Sequence, residues 1–408
     1  MIPTIEVIIV GSGPAGVSAA FPLVEAGLKV LMLDVGEKEE QTGKGLILSN
    51  LRQNSRSQWE FFLGKNFSAL DDKKPSSPKC RAPSNDYVFN NFHERYSLET
   101  QNFNVAGSLA SGGLSNAWGA GVSCFDDNDF RNFPLRVQDF KSSYTKVGAR
   151  MGISGEADDM AAFHGNCYPL SPPLRLDINA GRFLGRYEAR RHIANSRGVV
   201  FGRTRHAVKS IGNAVDGACQ YCGLCIWGCA YGSIYTAQHD LERLKKFDNF
   251  TYQDGIFVEC FKKKGDLIEV DARATLDDRP LLFNTLKLIL AAGALASAKI
   301  ALTSLGMTGQ DVRVLSTPTV AFAMMMPERV GRPVDIDGFS MGQLSFCVDD
   351  SGGEEGYAFG SVMPAGSILA NEYIKRVPLS YPLSRLAIRF LQSSMMLANC
   401  FLSSSYGD

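Results

Sequence analysis

Apolar and polar positions change period several times along the chain, and each change marks an element. Residues 6–10 form a short β-branched run, apolar from Val7 to Val10, the pattern of a strand covered on both faces. After Gly11, Gly13 and Gly16 a helix is expected, and residues 29–33 return to a strand that ends at Asp34. The spacing predicts further helices over 139–153, with Asp139 at its start, over 236–245, and over 295–305 with Gly306 ending it. Strands are predicted over 249–261, 267–274, 286–290 (buried), 312–326 and 339–348. The polar stretch 37–96 is expected to be loop-rich with short helical pieces, 50–64 among them. Met324, Met325 and Met326 read as core. Residues 384–404 read as a buried helix, too short and too charged to span a bilayer, with peripheral membrane contact the lesser alternative.

The first of these patterns carries chemistry. Gly11, Gly13 and Gly16 stand at GxGxxG spacing between a strand and a helix, in the run GSGPAG. The first glycine permits the tight turn, the second lets backbone approach a pyrophosphate, and the third lets helix pack closely on strand. Unpaired N–H groups at the helix N-terminus then face the phosphates. Asp34, at the end of the second strand, is placed to accept both ribose hydroxyls. This combination reads as a dinucleotide site.

Two further glycine-rich runs invite a ligand. In residues 105–122 (VAGSLASGGLSNAWGAGV), Gly112, Gly113 and Gly119 remove side chains from a surface that could lie flat on a planar ring, with Asn116 free to hydrogen-bond a flavin edge. A glycine-rich loop without a ligand fits the same residues equally well. The strand 286–290 leads into Ala291, Ala292 and Gly293, a turn that again permits close approach to a cofactor.

Composition narrows the partners. With 45% hydrophobic residues over 408, the chain supports two domains. Lys plus Arg and Asp plus Glu are 42 each, so no global field favours nucleic acid or an anionic membrane. The first strand begins within a few residues of the N-terminus, and a cytoplasmic location is expected. Of ten cysteines, Cys80, Cys124, Cys167, Cys260, Cys347 and Cys400 are scattered, which suits a reducing compartment. Cys219, Cys222, Cys225 and Cys229 form one C-x2-C-x2-C-x3-C run, with Gly223 and Gly228 between them. That run suits an iron–sulfur cluster, four-iron or three-iron according to whether Cys222 points inward. A structural loop is the principal alternative, and zinc the lesser one because its knuckles are usually separated by a longer stretch.

Taken together, GSGPAG with Asp34, GGLSNAWGAG, and LKLILAAGALASAKIALTSLG resemble the glucose-methanol-choline (GMC) family of FAD-dependent oxidoreductases over most of the chain. Within it the chain is most similar to the catalytic subunits of bacterial FAD-dependent sugar dehydrogenases, whose C-x5-C-x3-C spacing Cys219, Cys225 and Cys229 keep, Cys222 being an addition. The resemblance implies an α/β fold, a Rossmann-type FAD-binding domain (1–125 and 219–310) with a second, substrate-binding α+β domain (126–218 and 311–408). It implies non-covalent FAD rather than NAD, held by Gly11, Gly13, Gly16, Asp34, Gly112, Gly113, Asn116, Ala292 and Gly293, with adenine beside the backbone of Val258. It implies oxidation of a CH–OH group of a sugar, polyol or related alcohol, with electrons leaving through the cysteine cluster to an acceptor protein or quinone. A cholesterol-oxidase-like oxidase using oxygen, and a non-catalytic FAD-binding protein, are the alternatives. The family's catalytic histidine lies in a C-terminal stretch with no counterpart after residue 351, so the chain looks C-terminally incomplete and weakly active alone. No catalytic residue is assigned, and His164, His192 and His206 carry no supporting motif.

Overall fold

The computed structural model describes residues 5–38, 58–71, 77–101, 104–127, 129–130, 133–334, 338–349, 357–365 and 377–402. Strands among them are β1 (Ile5–Val10), β2 (Val30–Leu33), β3 (Val199–Arg203), β4 (Phe250–Gln253), β5 (Ile256–Lys264), β6 (Leu267–Ala274), β7 (Pro280–Leu290), β8 (Thr319–Met325), β9 (Leu344–Val348), β10 (Ala358–Pro364) and β11 (Met395–Phe401). The longer helices are α1 (Pro14–Glu25), α2 (Val137–Met151), α3 (Ile178–Ala189), α4 (Ala237–Leu244), α5 (Ala294–Ser304) and α6 (Tyr381–Leu391).

The described residues of Met1–Lys44, Asp71–Trp118 and Thr236–Val312 form one compact unit, and those of Gly45–Leu70, Gly119–Tyr235 and Arg313–Asp408 form the second. These boundaries differ from those expected above. Residues 58–70, 119–125 and 219–235, the cysteine run included, fall in the second unit.

In the first unit six strands lie in the order β4-β2-β1-β7-β6-β5. β4, β2, β1 and the C-terminal half of β7 are parallel, and β1 pairs from Val7↔Val30 on one side and Ile5↔Thr285 on the other. The unbroken apolar run of β1 follows from cover on both faces. Val7 and Ile9, with Val30 and Met32, pack on Val17, Ala20, Phe21 and Val24 of α1 and Leu241 and Leu244 of α4. The alternate residues Ile8, Val10, Leu31 and Leu33 pack on Ile256, Val258, Val270, Ala272 and Ile300. β7 serves two layers, pairing with β6 over 280–285 and with β1 over 285–290. At the change of partner the buried Thr285 hydroxyl lies 3.1 Å from the Ile5 carbonyl. The predicted strand 249–261 is two strands broken at Asp254 and Gly255, because β4 pairs with β2 whereas β5 pairs with β6. The segment 286–290 is a strand as expected, but Leu286 is exposed.

In the second unit β3-β9-β10-β11-β8 form an antiparallel sheet. Ala180, Leu184 and Tyr187 of α3 cover one face through Leu344, Phe346, Val362, Met396 and Ala398. Helix α2 is present but starts two residues earlier than predicted, at Val137, with Asp139 accepting the Arg136 N–H at 3.0 Å, and it ends at left-handed Gly152. Three expectations need correction. The predicted strands 312–326 and 339–348 shorten to β8 and β9, and Met325, at the end of β8, is exposed whereas Met326, just beyond it, is buried. The segment 384–404 is not one buried helix. α6 stops at Leu391, where Ser393 and Ser394 turn their hydroxyls onto the carbonyls of Arg329 and Leu391, and the chain continues as the central strand β11. Of the predicted helical piece 50–64, Gln58–Leu63 is helical, and residues 50–57 lie outside the described residues. No helix among the described residues is long and apolar enough to cross a membrane.

Candidate functional site

The glycines between β1 and α1 do three different things. Gly11 has φ of +100°, and a Cβ there would lie 2.6 Å from the Ala291 carbonyl oxygen. A Cβ on Gly16 would lie 1.9 Å from the Gly11 carbonyl oxygen, so this residue lets α1 close on the end of β1. Gly13 differs from both. Its φ of −65° suits any residue, and a Cβ would meet nothing within 4 Å. The Gly13 position therefore faces open space, at the N-cap of a helix that no side chain caps. Unclaimed donors and the helix dipole there favour an anion such as a pyrophosphate.

That space belongs to a cleft of about 340 Å³ in the first unit. Gly11, Gly13, Asp34, Gly113, Val258, Ala292 and Gly293 line it. Gly16, Gly112 and Asn116 do not; they stand behind the wall and hold it. Beside Val258 the rings of Phe92, Tyr96 and Phe257 follow one another, with centroids 4.8 and 5.1 Å apart, and all three contribute to the lining. Tilted by 44° and 51° from one ring to the next, they give an aromatic lining beside a β-strand that suits a purine. Burial pushes the Tyr96 phenol up to about 12, so it stays a neutral donor.

Asp34 stands at the end of β2 and is gripped by the protein. The buried Ser12 hydroxyl donates to its Oδ2 and accepts the Gly112 N–H at 2.9 Å. The Tyr252 hydroxyl lies 3.2 Å from the same Oδ2 and 3.3 Å from Ser111 Oγ. Burial outweighs these hydrogen bonds and pushes the Asp34 carboxyl up to about 6. Ser12 thus ties the phosphate turn to the acid and to the second glycine run.

The second run is a turn with two consecutive left-handed glycines, Gly112 at φ +86° and Gly113 at φ +60°. It is braced from α4: the Ala237 N–H donates to Ser115 Oγ at 2.9 Å, and Gln238 Nε2 donates to the Ser111 carbonyl at 2.9 Å. Asn116 Nδ2 donates to that same carbonyl at 2.8 Å. One of its amide hydrogens therefore supports its own loop. A Cβ on Gly112 would sit 2.9 Å from Gln238 Cγ, so Gly112→Ala is expected to destabilise the first unit by about 1–3 kcal/mol. An unchanged urea midpoint would contradict this. Ser12 was visible within the first motif, but Ser111, Ser115, Gln238 and Tyr252 had no sequence signal, since each acts through a long-range hydrogen bond.

The cysteine run does not gather into a ligand set. Among the described residues no three His, Cys, Asp or Glu side chains are grouped to hold a metal ion. The loop's polar atoms go elsewhere: the Cys225 N–H donates to Ser340 Oγ at 3.2 Å, and Cys229 Sγ accepts the Ser233 N–H at 3.2 Å. Burial raises the thiols of Cys219 and Cys222 and pushes that of Cys225 up to about 12, which opposes the thiolate form a cluster needs. The histidines are structural in their surroundings. His93 Nε2 bonds the Val105 carbonyl at 3.0 Å, His206 Nε2 bonds the Gly342 carbonyl at 2.6 Å, and His239 helps cap α4. Burial pushes His164 and His206 down to about 4, and His192 is exposed.

Residues 5–112 match the family model of pyridine nucleotide-disulphide oxidoreductases. No curated protein matches the chain in sequence. The formate oxidase of Aspergillus oryzae, in a structure concerned with its FAD modification, has a TM-score of 0.53 and 12% identity over 97% of this chain and 72% of that one. A pyridoxine 4-oxidase from Mesorbium loti has a TM-score of 0.50 and 12% identity over 97% and 71%. These likenesses show the fold, a Rossmann-type unit of the FAD-binding kind with a second α+β unit. They give no support to a particular tie with bacterial sugar dehydrogenase subunits.

Proposed function

We propose that this chain is an FAD-dependent oxidoreductase of the GMC type that oxidises the CH–OH group of a small alcohol, a sugar or polyol among the candidates. The observation that carries the reading is the open space in front of Gly13 at an uncapped helix N-terminus, with Asp34 one strand away in the same cleft. FAD, when bound, supplies the hydride acceptor. The chain's own residues bind and orient it: the N-terminus of α1 holds the pyrophosphate, Asp34 takes ribose hydroxyls, and Val258 with Phe257 and Tyr96 flanks the adenine. Ala292 and Gly293 keep the opposite wall free of bulk.

Two routes for the electrons follow from the cysteine loop. That no three His, Cys, Asp or Glu side chains among the described residues are grouped to hold a metal favours direct reoxidation by oxygen, and the two similar folds above are both named as oxidases. The relay to a quinone or acceptor protein requires Cys219, Cys225 and Cys229, with or without Cys222, to turn onto one iron–sulfur centre. The test is anaerobic purification, acid release of flavin, and reduction by a panel of alcohols, followed by reoxidation with oxygen or with an artificial dye. Acid-soluble FAD that an alcohol bleaches and oxygen restores is the expected result. Iron with acid-labile sulfide, and reoxidation by dye alone, would reinstate the relay. Flavin that no alcohol reduces would leave a binding protein without this activity.

A further inference from the structure

In the second unit Gly165 separates two cysteines that are forty-three positions apart in sequence and adjacent in space. The position that a Gly165 Cβ would take lies 3.5 Å from Cys124 Sγ and 3.4 Å from Cys167 Sγ. The same Cβ would come within 2.9 Å of Cys124 Cβ, so glycine, at φ +73°, makes the room in which the sulfurs meet. The Cys124 thiol hydrogen-bonds the Cys167 side chain. Both backbones are pinned: the Cys124 N–H donates to the His164 carbonyl at 2.9 Å, and Thr145 Oγ1 donates to the Cys167 carbonyl at 2.6 Å. The fully buried Arg205 donates to the Gly165 carbonyl and lies 3.3 Å from Asn166 Oδ1, fixing the turn between them.

We propose that Cys124 and Cys167 form a reversible disulfide, with hydrogen peroxide as the oxidant. The two thiols differ in access, Cys124 being 4% exposed and Cys167 partly exposed. Cys167 therefore reacts first. Its thiolate attacks peroxide, an S–O bond forms as the O–O bond breaks, and the departing hydroxide takes a proton to become water. Burial pushes the Cys124 thiol up to about 12, with Arg205 only partly offsetting it, so its proton passes to the sulfenic oxygen as its sulfur attacks the Cys167 sulfenic sulfur. The S–S bond forms as the S–O bond breaks, releasing a second water. Two thiols are oxidised and one peroxide is reduced. The bridge would tie the segment at Cys124 to the turn after His164.

The test uses the whole chain, treated with a small excess of hydrogen peroxide, alkylated in denaturant and digested without reductant. The expected result is an intact mass lower by about 2 Da before alkylation, two alkyl groups fewer after it, and one linked peptide pair joining Cys124 to Cys167, lost on adding dithiothreitol. In Cys124→Ala, dimedone is expected to capture a sulfenic acid on Cys167 that is scarce in the wild type. Equal capture in both proteins without a linked peptide overturns the proposal. So does a bridge appearing within residues 219–229 while Cys124 and Cys167 remain open to alkylation. If Cys124→Ala does not fold, the wild-type peptide map decides alone.

Discussion

Gly13→Val is expected to empty the protein of flavin while leaving its fold intact, and Gly16→Val is expected to unfold the first unit. The two glycines lie three residues apart in one motif, so sequence alone gives them equal weight. Their surroundings do not. A Cβ at Gly13 meets nothing within 4 Å, and its backbone angles are ordinary, so valine there should change the stability of the flavin-free protein by no more than about 1 kcal/mol. The isopropyl group would fill the space at the start of α1 that the pyrophosphate needs, and affinity should fall below what purification retains. A Cβ at Gly16 would overlap the Gly11 carbonyl at 1.9 Å, a backbone clash that no rotamer relieves, and a loss beyond about 4 kcal/mol is expected. Flavin content per protein and the melting temperature of the flavin-free form separate the two cases. A folded Gly13→Val protein that keeps its full flavin would remove the cofactor assignment, and a stable Gly16→Val protein would contradict the packing.

The strand, turn and helix at the N-terminus were legible because their causes are local. β1 is apolar at consecutive positions, since one set of residues faces α1 and α4 and the other faces β5, β6 and α5. Gly11 and Gly16 stand where backbone must pass backbone. The grip on Asp34 was not legible, because Tyr252 reaches it across 218 positions and Gly112 meets Ser12 across 100. The bond from the Asn116 amide to the Ser111 carbonyl was not legible either, because a polar side chain in a glycine-rich run does not announce its partner. The C-terminal segment misled because apolar spacing in 384–391 suits a helix and the following residues are apolar as well. What divides them is a pair of serines, Ser394 turning its hydroxyl back on the Leu391 carbonyl and Ser393 reaching the distant Arg329 carbonyl, after which pairing with β10 and β8 makes the remainder a strand. Cysteine spacing, finally, is a statement about reach and not about direction. The run at 219–229 has the reach for a cluster, but its side chains are not grouped as a ligand set, while Cys124 and Cys167, unremarkable in sequence, are brought together by the fold.

Flavin affinity is expected to fall as pH drops through about 6, and Asp34→Asn is expected to abolish that dependence. In the flavin-free protein, burial holds the Asp34 carboxyl at about 6, above its ordinary 3.8. Ribose hydroxyls donate to the ionised carboxylate, so the bound state favours the charged form and binding releases a proton below about pH 6. With a free-state pKa near 6, about nine in ten molecules are protonated at about pH 5, and affinity there should be roughly tenfold weaker than at about pH 7.5. The stability of the flavin-free fold runs the other way. A carboxyl raised on folding contributes stability that is fully present below about 3.8 and lost as pH rises through about 6, because the fold prefers the protonated group. Asparagine cannot ionise, so the flavin-free variant should melt higher than the wild type at about pH 7.5 and bind flavin more weakly, with no step near 6. Ser12 and Tyr252 retain an acceptor in the amide oxygen, which keeps the turn in place. Titration of flavin into deflavinated protein across that range, with melting curves on the same samples, reads both trends. A wild-type affinity that stays flat from about pH 5 to 7.5, or an Asp34→Asn protein that melts lower at about pH 7.5, would show that burial does not hold this carboxyl near neutrality and that Asp34 was already charged in the empty cleft.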